Sequence, residues 1–149
     1  MNDVRIAMLG SGFVAGFYMQ GLANVRGQRV VANYSRNAAR ARAFAKTWSI
    51  PEPATDLGEL VRRQDIDLYV IALPNEVHLP VSLQLSRARR NQVCTKPLGR
   101  TRAEAKAMLA AARKSGAMHG YAETEVFAPC VVKAHQVVAE GGIGKVLWV

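Results

Sequence analysis

Apolar runs and helical patterns alternate along this chain. Short runs rich in apolar and β-branched residues have the length and composition of buried strands, at residues 4–9, 29–34, 67–73, 92–95 and 117–122. The segments between and after them carry helical patterns, at residues 14–22, 38–48, 56–64, 76–89, 101–115 and about 129–140. This alternation predicts an α/β fold: a doubly wound parallel sheet with helices on both faces, joined by right-handed crossovers.

Local signals indicate where some of these elements begin and end. Asn37 is placed to cap the second helix. Thr101 and Glu104 fit a capping box, in which Thr101 is the N-cap and Glu104 reaches back to it. Pro51 and Pro53 predict a loop between the second and third helices.

The strong positive charge narrows the choice of partners. Of 149 residues, 20 are Lys or Arg and 11 are Asp or Glu, which gives a net charge of +9 and a pI near 10.2. Such a charge attracts either nucleic acid or a small anion such as a dinucleotide phosphate. The cations are spread along the chain and no nucleic-acid-binding motif is present. We therefore favour the small anion and expect no nucleic-acid partner.

Composition and cysteine use are typical of a globular protein in a reducing compartment. Half of the residues are hydrophobic and 21% are charged. No run approaches the ~18 apolar residues that a membrane span requires, and the first residues lack the pattern of a secretory leader. Cys94 and Cys130 are far apart, and the three histidines are not at metal-ligand spacing. We expect a cytoplasmic location, free thiols, no membrane contact and no metal site.

A glycine motif follows the first predicted strand and opens the first helix. Gly10, Gly12 and Ala15 match the pattern G-x-G-x-x-G/A, in which the first glycine makes a tight turn and the second lets the backbone approach a pyrophosphate. The pyrophosphate would lie on the helix N-terminus, so Phe13 and Val14 are candidate cofactor contacts. A glycine-rich turn without a ligand is the alternative, and the position of the motif in a βαβ unit argues against it.

The end of the second strand bears on which dinucleotide binds. An Asp or Glu there binds the ribose 2′-hydroxyl of NAD, whereas an arginine accommodates the 2′-phosphate of NADP. Residues 34–37 contain no acid, but Ser35 can donate to a phosphate oxygen and Arg36 can pair with it. We favour NADP over NAD, with a solvent-facing Arg36 as the alternative.

Several segments, in this order, resemble the Gfo/Idh/MocA oxidoreductases, a family that includes glucose–fructose oxidoreductase and inositol dehydrogenase. The resemblance covers essentially all of the chain and rests on residues 10–15, 34–37, 67–75 with His78, 96–98, 120–123, 127–129 and 141–146. It implies an NAD(P)-binding Rossmann domain at residues 1–122. Residues 123–149 would then be the last helix and a connecting strand at 145–149, leading to a second α/β domain that this chain lacks.

The resemblance also assigns roles at the nicotinamide end of the cofactor. It implies that Leu73, Pro74, Asn75 and His78 line this part of the cofactor. The resemblance implies that the family's second domain supplies most of the substrate pocket. The sequence of this chain therefore does not indicate which substrate the enzyme uses.

The family's Glu-Lys-Pro motif corresponds to Thr95, Lys96 and Pro97. The resemblance implies that Lys96 contacts both the substrate hydroxyl and the nicotinamide ribose and is catalytic, with Pro97 beside it. A lysine at the carboxyl end of a parallel strand lies where such sheets bind ligands, and its ammonium can polarise a hydroxyl. Thr95 replaces a carboxylate that would orient the lysine. A glycine usual before this strand is also absent, and we expect Asn91 to adopt the left-handed conformation there.

The family reaction is hydride transfer between a nicotinamide cofactor and a hydroxyl-bearing carbon of a sugar or cyclitol. We expect the chain to be the cofactor-binding part of such an enzyme. Alone it should show little or no turnover, because a site that is open to solvent on one side cannot exclude water from the transferred hydride. The alternative is a non-catalytic dinucleotide-binding module, truncated or working with a separate partner chain. Apolar surface near Trp148 leaves a homo-oligomer open as well.

Overall fold

The computed structural model describes residues 3–147. Its strands form one parallel sheet in the order β3-β2-β1-β4-β5-β6. The strands are β1 Val4–Leu9, β2 Gln28–Tyr34, β3 Glu52–Ala54, β4 Leu68–Ile71, β5 Gln92–Thr95 and β6 His119–Ala122. The helices are α1 Phe13–Leu22, α2 Ala38–Trp48, α3 Leu57–Arg62, α4 His78–Arg87, α5 Arg102–Ser115 and α6 Pro129–Ala139, with one-turn 3₁₀ helices at Asn75–Val77 and Glu125–Phe127.

Two apolar layers cover the two faces of the sheet. Met19 of α1 and Phe44 of α2 pack on one face, and Leu60 of α3, Leu85 of α4 and Met108 of α5 pack on the other. All five side chains are buried. Helices on both faces of a parallel sheet confirm the doubly wound sheet that the alternating pattern predicts, and the strand order is that of the Rossmann fold that the resemblance implies.

The strand order places a ligand site at the middle of the sheet. Strand β1 pairs with β2 on one side and with β4 on the other, so the chain reverses its direction of winding between these neighbours. In open α/β sheets, ligands bind in the crevice outside the carboxyl ends of the strands at such a point. The residues that follow Leu9, Tyr34 and Ile71 therefore meet at one edge of the sheet.

The short edge strand β3 was not predicted. Residues around Pro51 and Pro53 were expected to form a loop, but Glu52 pairs with Ala32 and Ala54 pairs with Tyr34. Proline is tolerated in this strand because β3 lies at the edge of the sheet, where one side of the backbone needs no partner.

The cap of α5 differs in one detail from the predicted capping box. Thr101 Oγ1 accepts a hydrogen bond from the N–H of Glu104 at 3.2 Å, as expected. The Glu104 carboxylate reaches one residue further back than predicted and accepts from the N–H of Arg100 at 2.8 Å. The Arg100 guanidinium holds it there, with Nη2 2.6 Å from Oε1. The predicted cap of α2 is confirmed, because Asn37 Oδ1 accepts from the N–H of Arg40 at 3.0 Å.

The turn before β5 uses a different residue from the one expected. Arg89, with φ of 53°, adopts the left-handed conformation expected for Asn91. The N–H groups of Arg89 and Arg90 donate to the carbonyls of Ser86 and Leu85, which is the Schellman arrangement. The Asn91 side chain instead joins neighbouring strands: it donates to the carbonyl of Asp67 and accepts from the N–H of Met118, both at 3.0 Å.

The last described residues differ from the expected connecting strand. Residues 145–147 are not in a strand, and Trp148 and Val149 lie outside the described residues. None of the residues of α6 is buried. Between residues 3 and 147, no helix has the length and apolar character needed to span a membrane.

Candidate functional site

Gly10 lies where the ends of β1, β2 and β4 meet. Its φ of 136° is disfavoured for residues with a side chain, and a Cβ built on it would overlap with the carbonyl oxygen of Ala72. The Gly10 N–H donates to the carbonyl of Tyr34 at 2.9 Å, and the Ala72 N–H donates to the carbonyl of Leu9 at 2.8 Å. The position therefore requires glycine for the fold itself, whether or not a ligand binds.

At Gly12, in contrast to Gly10, the fold leaves room for a side chain. It is the N-cap of α1, its backbone is extended, and no side chain of the described residues caps the helix. A Cβ built on Gly12 would meet no atom of residues 3–147 within 4 Å. Phe13 and Val14 form the exposed first turn. The helix N-terminus thus offers N–H groups to an anion across an open approach, which fits a bound pyrophosphate.

A cleft of about 310 Å³ opens beside this turn. It is lined by Gly10, Ser11, Ser35, Arg36, Asn37, Arg40, Ala72, Leu73 and Pro74. The lining joins the glycine turn, the end of β2 with the start of α2, and the segment that follows β4. Of the described residues that line it, none is an Asp or Glu and two are arginines, so the cleft suits an anionic ligand.

Four polar residues after the end of β2 line this cleft: Ser35, Arg36, Asn37 and Arg40. Ser35 is largely buried, and its Oγ accepts from the N–H of Asn37 at 3.4 Å. Arg36 and Arg40 are exposed, and within residues 3–147 neither guanidinium forms an ion pair with a carboxylate. Both guanidinium groups therefore remain available to an anion such as a phosphate.

His78 is fully buried, which changes the role expected for it. Its Nε2 lies 2.9 Å from the carbonyl oxygen of Leu73, and its Nδ1 lies 2.9 Å from the carbonyl oxygen of Pro97. Both partners are acceptors, so the neutral ring donates to one of them and the charged ring to both. His78 does not line the cleft, and its predicted contact with the cofactor stays a prediction. The ring holds together the segments that follow β4 and β5.

Lys96 and Pro97 are exposed at the carboxyl end of β5, on the edge of the sheet where the cleft lies. The preceding residue, Thr95, is buried, and its Oγ1 donates to the carbonyl of Ile71 at 2.9 Å. Thr95 thus fastens the end of β5 to β4 and does not point with Lys96 into solvent. In the described part of the chain, Lys96 forms no ion pair with a carboxylate.

Two other groups near this edge have structural roles. Burial raises the pKa of the Cys94 thiol to about 12, so the thiol stays protonated near neutral pH, with its Sγ 3.4 Å from Nδ1 of His78. Glu123 accepts from the Tyr121 hydroxyl and from the N–H of Glu125, both at 3.3 Å, and so stabilises the turn after β6. Loss of solvation, together with the Glu123 charge, raises the pKa of Tyr121.

The structure brings together part of the predicted set. Gly10, Ser35, Arg36, Leu73 and Pro74 line the cleft. Gly12, Phe13, Val14, Asn75, His78, Lys96 and Pro97 lie outside its lining, at the start of α1 or beyond the ends of β4 and β5. Sequence reasoning missed Ser11, Asn37 and Arg40 as lining residues. Arg40 lies in the first turn of α2, and no sequence signal distinguishes it from Arg42 of the same helix. Among residues 3–147, no group of three or more His, Cys, Asp or Glu side chains could hold a metal ion.

Comparison with known proteins places these features in a family. The chain is 30% identical over 141 residues to 1,5-anhydro-D-fructose reductase of Ensifer adhaerens, a match that covers 95% of the chain and 42% of the relative. It is 26% identical over 126 residues to scyllo-inositol 2-dehydrogenase (NADP(+)) of Bacillus subtilis, covering 85% and 38%. A solved levoglucosan dehydrogenase in complex with NADH superimposes with a TM-score of 0.89 at 25% identity, covering 98% and 41%.

The chain spans less than half the length of these relatives. Over the part that matches, the glycine turn, the cleft and the strand order are those of a dinucleotide-binding sheet. A sequence model of the Gfo/Idh/MocA oxidoreductases, described as an NAD-binding Rossmann fold, matches residues 4–122, and the chain belongs to this family.

Proposed function

We propose that the chain binds a nicotinamide dinucleotide in the cleft beside Gly10 and is the cofactor-binding part of an oxidoreductase. The reaction is hydride transfer to or from a hydroxyl-bearing carbon of a sugar or cyclitol. The observation that carries the proposal is the cleft itself, with a glycine turn at one side and two arginines at the other. The names of the relatives, an anhydrofructose reductase and an inositol dehydrogenase among them, support the substrate class.

Different residues of the cleft hold different parts of the cofactor. Gly10 and Gly12 shape the turn, and the first N–H groups of α1, at Phe13 and Val14, receive the pyrophosphate. Ser35, Arg36 and Arg40 supply a hydroxyl and two cations for the ribose 2′-phosphate, with no carboxylate among the described lining residues to repel it. This set supports a preference for NADP over NAD.

At the nicotinamide end, Leu73, Pro74 and Asn75 form one side and Lys96 with Pro97 the other. The bound nicotinamide supplies the hydride acceptor or donor. The exposed ammonium of Lys96 donates a hydrogen bond to the substrate hydroxyl and stabilises the alkoxide that develops there. Thr95, bonded to Ile71, fixes the strand end from which Lys96 projects.

A non-catalytic dinucleotide-binding module, alone or with a partner chain, is the second candidate. One observation favours a further polypeptide packed against α6. No residue of α6 is buried, and Val131, Val132 and Val138 expose apolar surface along this helix. We place the domain boundary after residue 122, with residues 123–149 leading to a second domain, a second copy or a separate chain. We also place the protein in the cytoplasm, where the free thiols of Cys94 and Cys130 stay reduced.

Titration with NADPH and NADH tests the proposal. We expect saturable binding of both, with NADPH tighter, and failure to bind either would refute both candidates. Salt-sensitive capture of arbitrary duplex DNA without a dinucleotide effect would instead favour nucleic-acid binding. Lys96→Ala should leave dinucleotide affinity nearly unchanged if Lys96 acts on the substrate. A large loss of affinity would make Lys96 an anchor for the phosphate or ribose.

A further inference from the structure

A cavity of about 410 Å³ opens between the C-terminal halves of α4 and α5. It is lined by Leu83, Ser86, Arg87, Arg89, Ala111, Lys114 and Ser115. Helix α4 begins at His78, near the carboxyl ends of the strands, and its ten residues extend about 15 Å to Arg87. The cavity therefore lies at the opposite edge of the sheet from the dinucleotide cleft. Among the described residues, the two sites share no lining residue.

Three cations line this cavity, and they lie on both of its walls. Arg87 and Arg89 belong to the end of α4, Lys114 belongs to α5, and all three are exposed. Of the described lining residues, none is an Asp or Glu. Within residues 3–147, none of the three cations forms an ion pair with a carboxylate. The neighbouring Arg90, in contrast, is used by the fold, since its Nε donates to the carbonyl of Val61 at 2.9 Å.

Arg89 has a backbone conformation that ordinarily selects glycine. Its φ of 53° puts it in the left-handed region just after α4. Helix α5 ends beside the same cavity in the same conformation, and there the residue is Gly116. A cation that only complemented the dipole of α4 would not need this position, because Arg87 already lies in the last turn. The strained backbone at Arg89 therefore indicates a use for its side chain in the cavity.

The balance of charge favours an anion with several negative charges. The carbonyl ends of α4 and α5 contribute about half a negative charge each, against three positive charges from the side chains. The lining hydroxyls are already engaged within the fold. Ser86 Oγ lies 3.0 Å from Nε2 of His119, and Ser115 Oγ donates to the carbonyl of Ala112 at 2.8 Å. Recognition thus rests on the cations, and guanidinium groups bind phosphate oxygens in pairs.

We propose that this cavity binds a small molecule that carries a diphosphate group. Arg87, Arg89 and Lys114 hold the diphosphate, and Leu83 with Ala111 provides an apolar surface for the rest of the molecule. The volume of about 410 Å³ is within the usual range for small-ligand sites. This site is separate from the N-terminus of α1, where the pyrophosphate of the dinucleotide binds.

Inorganic pyrophosphate is the probe that tests the site, and citrate, a tricarboxylate, is the comparison. At constant ionic strength, we expect saturable shifts of the backbone amide resonances of Arg89 and Lys114 in NMR titrations, with citrate bound more weakly. Shifts confined to Phe13 and Val14 would overturn this proposal while leaving the proposed function intact. The absence of saturable binding, or equal binding of citrate, would overturn it as well.

Variants on the two walls locate the ligand. Arg89→Gln and Lys114→Gln should each weaken pyrophosphate binding about tenfold, the loss expected for one hydrogen bond to a charged group. Arg113→Gln removes an exposed charge of α5 outside the lining, and should leave binding nearly unchanged. Equal losses for Arg89→Gln and Arg113→Gln would show an effect of net charge alone and would contradict the site.

Arg89→Gly separates the use of the side chain from its backbone cost. This variant should bind pyrophosphate about tenfold more weakly and yet unfold at a higher urea concentration, because glycine suits the left-handed conformation. Undiminished binding by Arg89→Gly would contradict a role for this guanidinium in the cavity.

Discussion

The Nδ1 atom of His78 lies 2.9 Å from the carbonyl oxygen of Pro97, the residue that directly follows Lys96. The same ring reaches the carbonyl of Leu73 through its other nitrogen, also at 2.9 Å. One buried side chain therefore connects the two segments that flank the proposed nicotinamide end of the site.

Replacing His78 with leucine should loosen both segments. The change leaves two carbonyls without their ring partner, so we expect the free energy of unfolding to fall by about 1–3 kcal/mol. Dinucleotide affinity should fall as well. His78→Gln, which retains an amide donor, should recover part of both losses. Urea unfolding and cofactor titration measure the two effects. The control His135→Leu, at an exposed position of α6, should change neither. Unchanged affinity in His78→Leu would contradict the connecting role.

Substitutions at Gly10 and Gly12 should separate effects on the stability of the fold from effects on dinucleotide binding. Gly12→Ala places a methyl group in open space, so we expect a nearly unchanged melting temperature but about tenfold or more weaker dinucleotide binding. Gly10→Ala should lower the melting temperature strongly, because its methyl group overlaps with the Ala72 carbonyl. Gly21→Ala, near the end of α1 and without neighbours, is the control and should leave binding unchanged. Tight binding by Gly12→Ala would argue against a pyrophosphate at this helix.

The choice of cofactor should depend on the two arginines of the cleft. Arg36→Ala and Arg40→Ala should each weaken NADPH binding by about tenfold to hundredfold, the range for losing a hydrogen bond to a charged group. NADH binding should change little, because it has no 2′-phosphate. Arg42→Ala removes an exposed charge of the same helix outside the cleft lining and serves as the control. Equal losses for both cofactors would place the arginines at the pyrophosphate instead.

Replacing Arg89, the left-handed residue before β5, with glycine should increase the free energy of unfolding. Arg89→Gly relieves a conformation that costs roughly 1–2 kcal/mol for a residue with a side chain, although glycine also adds freedom to the unfolded chain. We expect a net gain of about 0.5–1 kcal/mol in urea unfolding. Gly116→Ala, at the left-handed cap of α5, should lose a similar amount. A loss in Arg89→Gly would show that the arginine side chain contributes more than its backbone costs.

Much of the fold could be predicted because its signals are local. Strands β1 and β5 begin and end at the residues that their apolar runs indicate. Strand β3 was missed because it has three residues, one of them proline, and it forms only by pairing with β2. Arg89 was missed for a related reason: which residue takes the left-handed conformation depends on where α4 ends, and a sequence pattern does not fix that position.

The site was predicted less completely, because its geometry depends on contacts between distant residues. The glycine turn and the pair Ser35 and Arg36 could be read from position alone. The role of His78 could not, because its partner Pro97 is 19 residues away and is brought near only by the pairing of β4 with β5. Arg40 shares its helix with Arg42, which is equally exposed but does not line the cleft, so only the folded cleft distinguishes the two.

The contrast between Gly10 and Gly12 also bears on how such a chain changes over generations. A lineage that stopped using the cofactor would still be held to glycine at position 10, since that residue contacts the chain's own backbone. Position 12 would be free to vary, because a side chain there would meet no atom of the described residues within 4 Å. The pattern of substitution at these two neighbouring positions would therefore record whether selection has acted on binding or on folding alone.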